Sequence, residues 1–233
     1  MNKKEFIECL SLRGISCTDT QYEQLIDLMD STLKTNEKFN LTAITNEDEF
    51  MEKMILDSAL VLQLEGLDNK KCIDIGTGAG FPGMVLAILN PLMRLTLLDS
   101  TAKKINYLDE YTSSRGYKVN LVCDRAELYA HKSEEKYDIV FARAVSHLSI
   151  LIELSMMMLK GGGQLIAYKG RGVEDEIKES ENAFKKLGCH LEKIFEDELP
   201  ESKEKRYFVV IKKDKKTPKK YPRDYKVIKS LPL

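Results

Sequence analysis

Long apolar runs are missing from this 233-residue sequence, and nothing in it approaches the roughly 18 consecutive apolar residues that cross a bilayer. A helical membrane span is thereby excluded. The opening Met1-Asn2-Lys3-Lys4-Glu5-Phe6-Ile7-Glu8-Cys9-Leu10 lacks the apolar centre and cleavage site of a secretory leader. The expected compartment is therefore the cytoplasm, with no membrane partner. Histidine is scarce: His131, His147 and His190 lie far apart. The five cysteines (Cys9, Cys17, Cys72, Cys123 and Cys189) form no C-x-x-C pair. That spacing argues against a metal site, and an odd, scattered set reads as reduced thiols. There is no internal repeat, and the only compositionally biased segment is the lysine-rich end.

What is present fits a globular chain. Hydrophobic residues make up 43% and charged residues 31%, enough apolar material for one large domain or a domain with a small extension. The net charge of −1 hides an asymmetry. From Glu174 to Glu201 there are ten acids and four bases, whereas from Lys203 to Lys229 there are twelve bases and three acids. Such a basic end is either a solvated tail or an anchor for a polyanion.

Hydrophobic spacing divides the chain. Leu25, Ile26, Leu28, Met29 and Leu33 follow helical spacing over Thr20 to Leu33, with Thr18 or Asp19 as the cap. Phe50, Met54, Ile55, Ala59 and Leu62 resume it. After Gly66, short apolar runs alternate with helix-length segments. Strands are predicted at Cys72–Ile75, Leu95–Leu98, Val119–Cys123, Asp138–Ala142, Gln164–Tyr168, His190–Phe195 and Tyr207–Ile211. Helices are predicted at Gly83–Leu89, Lys103–Ser114, Leu148–Leu159 and Val173–Leu187. This alternation implies an α/β fold with a mostly parallel sheet covered on both faces. No helix separates the last two strands, which implies a terminal antiparallel hairpin. The expected organisation is a helical extension (1–65), a core domain (66–215) and a basic tail (216–233). Met156, Met157 and Met158 read as core packing.

The most informative run is Cys72-Ile73-Asp74-Ile75-Gly76-Thr77-Gly78-Ala79-Gly80-Phe81-Pro82-Gly83, a buried strand ending in an acid, a glycine turn and a helix start. Glycine allows close backbone approach and positive φ, and in open α/β sheets ligands sit beyond the carboxyl ends of strands at such turns. Gly78, Gly80 and Gly83 also satisfy G-x-G-x-x-G, so a nicotinamide nucleotide fits the pattern. Asp99, ending the next strand, is placed to accept hydrogen bonds from a ribose of either adenosine-containing cofactor.

Together with Asp99-Ser100 and Lys103-Lys104, this run resembles the S-adenosylmethionine-dependent methyltransferases. More narrowly, the chain resembles the bacterial 16S rRNA guanine-N(7) methyltransferase family (RsmG, formerly glucose-inhibited division protein B). Further matches are Asn36 with Asn40-Leu41-Thr42-Ala43-Ile44, Asp57-Ser58, Arg125-Ala126-Glu127, Ala142-Arg143-Ala144-Val145, Lys169-Gly170 and Tyr221-Pro222-Arg223. The sequence departs from the pattern at Thr35, where a tryptophan is usual (this chain has none), at Met54, where a histidine is usual, and over Asp224–Ile228, which lacks the usual glycine and proline.

The resemblance implies a Rossmann-like class I methyltransferase that transfers a methyl group from S-adenosylmethionine to nitrogen 7 of a guanine in the 530 loop (conventional position 527). Its partner would be 16S rRNA within the small ribosomal subunit, met by a monomer. The implied cofactor-binding set is Asp74, Gly76, Thr77, Gly78, Gly80, Phe81, Asp99, Ser100, Ala126, Glu127 and Arg143, with Arg143 near the transferable methyl. Lys169 and Arg171 would flank the mouth of the site, and Arg206, Lys219, Lys220 and Arg223 would grip phosphates further out. No acid or base is expected, since nitrogen 7 carries a free lone pair and positioning alone supplies much of the rate. Two other readings fit parts of the sequence: a nucleotide-dependent oxidoreductase, and a non-catalytic RNA-binding assembly factor that keeps the fold.

Overall fold

The computed structural model describes residues 1–233. Its N-terminal layer begins with helices α1 (Lys3–Ser11) and α2 (Asp19–Asn36). Thr18 caps α2 by accepting from the Gln21 amide, while the Gln21 side chain accepts from the Thr18 amide, so two otherwise orphaned donors are satisfied. Between Phe50 and Leu62 the expected regular helix is broken into α3 (Glu47–Phe50), a π-turn (Met51–Leu56), α4 (Asp57–Ala59) and a 3₁₀ turn (Leu60–Gln63). The wider π spacing keeps Phe50 and Ile55, five residues apart, fully buried.

The α/β region runs β1 (Lys71–Ile75), α5 (Gly83–Leu89), β2 (Arg94–Asp99), α6 (Ala102–Arg115), β3 (Asn120–Cys123), α7 (Ala126–Lys132), β4 (Tyr137–Arg143) and α8 (Leu148–Ser155). It continues through β5 (Leu159–Lys169), α9 (Val173–Glu179), α10 (Glu181–Leu187), β6 (Cys189–Glu198) and β7 (Lys205–Lys213), and closes with α11 (Tyr225–Ser230). All seven predicted strands lie in one sheet of order β3-β2-β1-β4-β5-β7-β6. The five strands β1 to β5 pair in parallel, whereas β7 runs antiparallel to both β5 and β6. The order reverses between β1 and β4, which opens a crevice at the carboxyl ends of those strands.

Two predicted helices are shorter or divided. The apolar pattern of Leu148–Leu159 is helical throughout, but the Met157 and Met158 carbonyls accept from the amides of Glu135, Lys136 and Tyr137, so α8 stops and β5 begins beside β4. Met156, Met157 and Met158 are all buried. Val173–Leu187 breaks at Ser180, whose hydroxyl bonds back to the Glu176 carbonyl.

Strand alternation divides the core between the two faces of the sheet. Cys72, Leu95 and Leu97 pack with α1, α2, α5 and α6, whereas Ile73, Ile75 and Leu98 pack on the other side with α8 and α10. Phe6, Leu10, Leu25 and Leu28 are fully buried in the first cluster. Each contributes roughly 1.5–3 kcal/mol of burial, so the N-terminal helices share the sheet's core. The end of the chain is packed too: Tyr221, Ile228 and Leu233 are buried in the second cluster. No helix is long and apolar enough to cross a membrane.

Candidate functional site

Backbone geometry at the end of β1 requires glycine. Gly76, Gly78 and Gly80 have φ of +68°, +61° and +98°, values that cost other residues steric energy. A Cβ on Gly76 would lie 2.9 Å from Val145 Cγ2. Val145 is brought there by Ala144, which takes the left-handed conformation (φ +54°) just after β4. Gly83 is needed for packing instead. A Cβ there would lie 2.2 Å from Leu97 Cδ2 and 2.9 Å from Asp74 Oδ2, so its bareness lets α5 pack on the sheet.

Asp74 holds the loop from beneath. Its Oδ2 accepts from Thr77 Oγ1 at 2.6 Å and from the Gly83 amide at 2.9 Å, and the residue is fully buried. Oδ1 has no hydrogen-bond partner. Burial pushes the carboxyl up to about 7, with the Thr77 and Gly83 bonds opposing the rise. Asp99 ties the loop to β2: Oδ2 accepts from the Gly78 amide at 3.0 Å and Oδ1 from the Thr101 amide at 2.8 Å. An ionised carboxylate has about four acceptor positions, so Asp99 retains capacity for ligand hydroxyls.

Across the carboxyl ends of β1, β2 and β3 runs a cleft of about 250 Å³. Its floor passes from Ile75 and Gly76 through Leu98, Asp99 and Ser100 to the Asp124–Glu127 stretch, and Val145, Leu154 and Tyr225 complete it. Among these lining residues stand three carboxylates and a single guanidinium, that of Arg125, which is ion-paired with the buried Glu127. Such a cleft suits a ligand with hydroxyls and positive charge. It does not suit a pyrophosphate, for the Gly83 amide at the start of α5, which would face one, is already given to Asp74.

The residues singled out from sequence are distributed unevenly about this cleft. Gly76, Asp99, Ser100, Ala126 and Glu127 line it, whereas Asp74, Thr77, Gly78, Gly80 and Phe81 form its support and do not. Arg143, expected beside the methyl, also lies outside the lining. The carboxylate of Asp57, buried in the N-terminal layer, draws it off: Arg143 Nη1 donates to Asp57 Oδ2 at 3.1 Å and to the Lys53 carbonyl at 3.0 Å, and Nη2 meets Met54 Sδ at 3.1 Å. Its guanidinium carbon stands 5.8 Å from the centre of the Phe81 ring. Burial raises the Asp57 carboxyl, although Arg143 and Arg206 both oppose that rise.

Three of the six cations expected on RNA are engaged inside the protein. Lys169 pairs with Glu176 at 2.6 Å, Arg206 with Asp57 at 3.0 Å and Glu204 at 2.8 Å, and Arg223 with Glu153 at 2.6 Å. In each case the partner is a half-buried or buried carboxylate. Arg171, Lys219 and Lys220 are exposed. Sequence reasoning missed Tyr225 in the cleft and Glu153 as the anchor of Arg223, since neither belongs to a motif. A larger cavity, about 860 Å³, is a charged groove between α2 and α6 that shares no residue with the cleft.

A family model described as rRNA small subunit methyltransferase G (GidB) matches residues 21–209. The ribosomal RNA small subunit methyltransferase G of Caldicellulosiruptor bescii is 43% identical over 216 residues, covering 90% of this chain and 91% of that protein. Its counterpart from Bacillus cytotoxicus is 39% identical over 237 residues, covering 100% and 99%. Among solved structures, TrmN of Thermus thermophilus superposes with a TM-score of 0.52 at 18% identity, over 67% of this chain and 48% of that one. The YcgJ protein of Bacillus subtilis gives 0.51 at 13% identity, over 69% and 99%. These structural likenesses speak for the fold alone.

Proposed function

The chain belongs to the rRNA small subunit methyltransferase G family, and from that premise we propose that it methylates nitrogen 7 of a guanine in the 530 loop of 16S rRNA. The observation that carries the reading is the acid-lined cleft over β1, β2 and β3, with Asp99 at its centre and the glycine loop at one side. S-adenosylmethionine, when bound, supplies a methyl group already activated on a sulfonium. Gly76 lines the cleft on the side of its methionine end, Asp99 has spare acceptor capacity for ribose hydroxyls, and Ala126 and Glu127 border the adenine side.

The protein's share of the chemistry is positioning. Nitrogen 7 of guanine offers its own lone pair, so no side chain has to remove a proton before transfer. Asp74 fixes the loop through Thr77 and Gly83, and Arg143 clamps the Phe81 end of that loop to the N-terminal layer through Asp57. Holding the reactants in line contributes roughly 7–11 kcal/mol in well-oriented systems. The divisions 1–65, 66–215 and 216–233 act as clamp, transferase core and strap, and Arg171, Lys219 and Lys220 are the cations free to meet phosphate. A cytoplasmic monomer acting on the assembled small subunit accounts for these features.

The test is to incubate the chain and S-adenosylmethionine with small subunits from a strain lacking this modification, then map 7-methylguanosine by nucleoside mass spectrometry. A single new 7-methylguanosine in the 530 loop is the expected result. Methylation elsewhere, or none despite donor binding, overturns the assigned target.

A further inference from the structure

The cleft has one wall that its neighbouring strands do not supply. Tyr225 reaches it from the terminal segment, over 80 residues beyond the last of β1 to β4. Its ring is half-buried, packs beside the second core cluster and stands 5.2 Å from the guanidinium carbon of Arg125. Arg125 is itself neutralised by Glu127, so the ring and the two charged groups form one block at the β3 end of the cleft.

We propose that Tyr225 covers the adenine of the bound methyl donor, a role that rests on the reading of that donor as S-adenosylmethionine. The order of groups along the cleft decides which end of the donor meets the ring. Gly76 lies at the end of β1, Asp99 at the end of β2, and Ala126 and Glu127 beyond β3. An acid ending the second strand takes the ribose, and the base must then continue to the β3 side, where Tyr225 stands. An aromatic ring there gives a purine a stacking partner on the face turned away from Arg125.

The segment that presents the ring is held, which lowers the ordering cost of binding. Arg223, two residues earlier, pairs with the fully buried Glu153 and also donates to the Leu231 carbonyl at 3.0 Å. Ile228, three residues later, is fully buried. Tyr225 falls within Asp224–Ile228, the stretch where the sequence departs from the pattern it resembles.

Calorimetry with S-adenosylhomocysteine on the full chain tests the role. Tyr225→Ala should weaken binding roughly tenfold, in line with the loss of one base–aromatic stack, while Tyr225→Phe stays within about twofold. Tyr225→Leu keeps apolar bulk without a π-face and should resemble Tyr225→Ala. Because the chain has no tryptophan, Tyr225→Trp places a sole reporter in the cleft, and its emission should be quenched on titration. Binding of Tyr225→Ala and Tyr225→Leu at the wild-type affinity overturns the role while the donor reading stands. So does an unchanged emission when calorimetry reports binding to Tyr225→Trp. If the wild-type chain binds neither S-adenosylmethionine nor S-adenosylhomocysteine, the donor reading fails and the role falls with it.

Discussion

Arg223 grips Glu153 with two prongs: Nε and Nη2 reach Oε1 and Oε2 at 2.8 and 2.6 Å, and the Arg223 amide donates to Oε1 at 2.9 Å. The Glu153 side chain has no exposed surface. Removing the arginine strands a buried charge, so Arg223→Ala should cost roughly 3–5 kcal/mol. Thermal denaturation checks this, and the double variant Arg223→Ala with Glu153→Gln should recover much of the loss. An unchanged melting temperature for Arg223→Ala would mean that this pair does not hold the terminal segment.

Gly83 and Gly78 should respond differently to alanine. At Gly83 the new methyl meets Leu97 and Asp74 well inside van der Waals contact, and overpacking of this kind costs roughly 1–3 kcal/mol or more. At Gly78 no side chain stands in the way and only the positive φ resists, at roughly 1–2 kcal/mol. Urea denaturation of the two variants should rank Gly83→Ala as the less stable, and the reverse order would contradict the packing argument.

Asp74 makes stability depend on pH. Its carboxyl titrates near 7 in the folded protein against 3.8 ordinarily. Between about pH 4 and pH 7 the folded state therefore holds a proton that the unfolded chain has released, and the group's contribution to stability falls as pH rises through this window. Asp74→Asn removes that titration. Its melting temperature relative to wild type should climb by several degrees from pH 5 to pH 8, and a constant difference across the range would refute the buried-acid account.

Salt dependence separates free cations from engaged ones. Each phosphate neutralised on a single strand adds about 0.7 to the slope of log affinity against log salt. Lys219→Ala with Lys220→Ala should therefore flatten the slope for small-subunit RNA by ~1.4. Arg206→Ala should leave the slope alone and lower the melting temperature, because Asp57 and Glu204 already hold that guanidinium. A slope change with Arg206→Ala and none with the lysines would reverse the assignment.

The sheet was open to sequence reasoning because its inner strands β1, β4 and β7 carry short apolar runs, and strands buried on both faces read as just that. The glycine loop and Asp99 were equally visible, since their backbone and charge requirements are local. What remained hidden depends on distant partners. The Arg143 side chain follows Asp57, 86 residues away in sequence, and α8 yields Met157 and Met158 to strand pairing despite a helical pattern. The basic end looked like a tail because its charges are conspicuous. The few apolar residues that seat it, Tyr221, Ile228 and Leu233, are too sparse to show a period. Helix α7 was missed for a related reason: seven residues with three buried give too short a pattern to read.

The place of β7 bears on how the molecule is made. It is the last strand in sequence, yet it lies inside the sheet between β5 and β6. On the ribosome, β6 emerges with no neighbour to pair with, and β5 presents an open edge until residues 205–213 have cleared the exit tunnel. A fragment that stops short of β7 thus carries an unpaired inner edge, the kind of surface that draws chains into aggregates. Stalled or prematurely terminated synthesis would for this reason yield a sticky product, and the finished sheet removes the hazard only in its closing step.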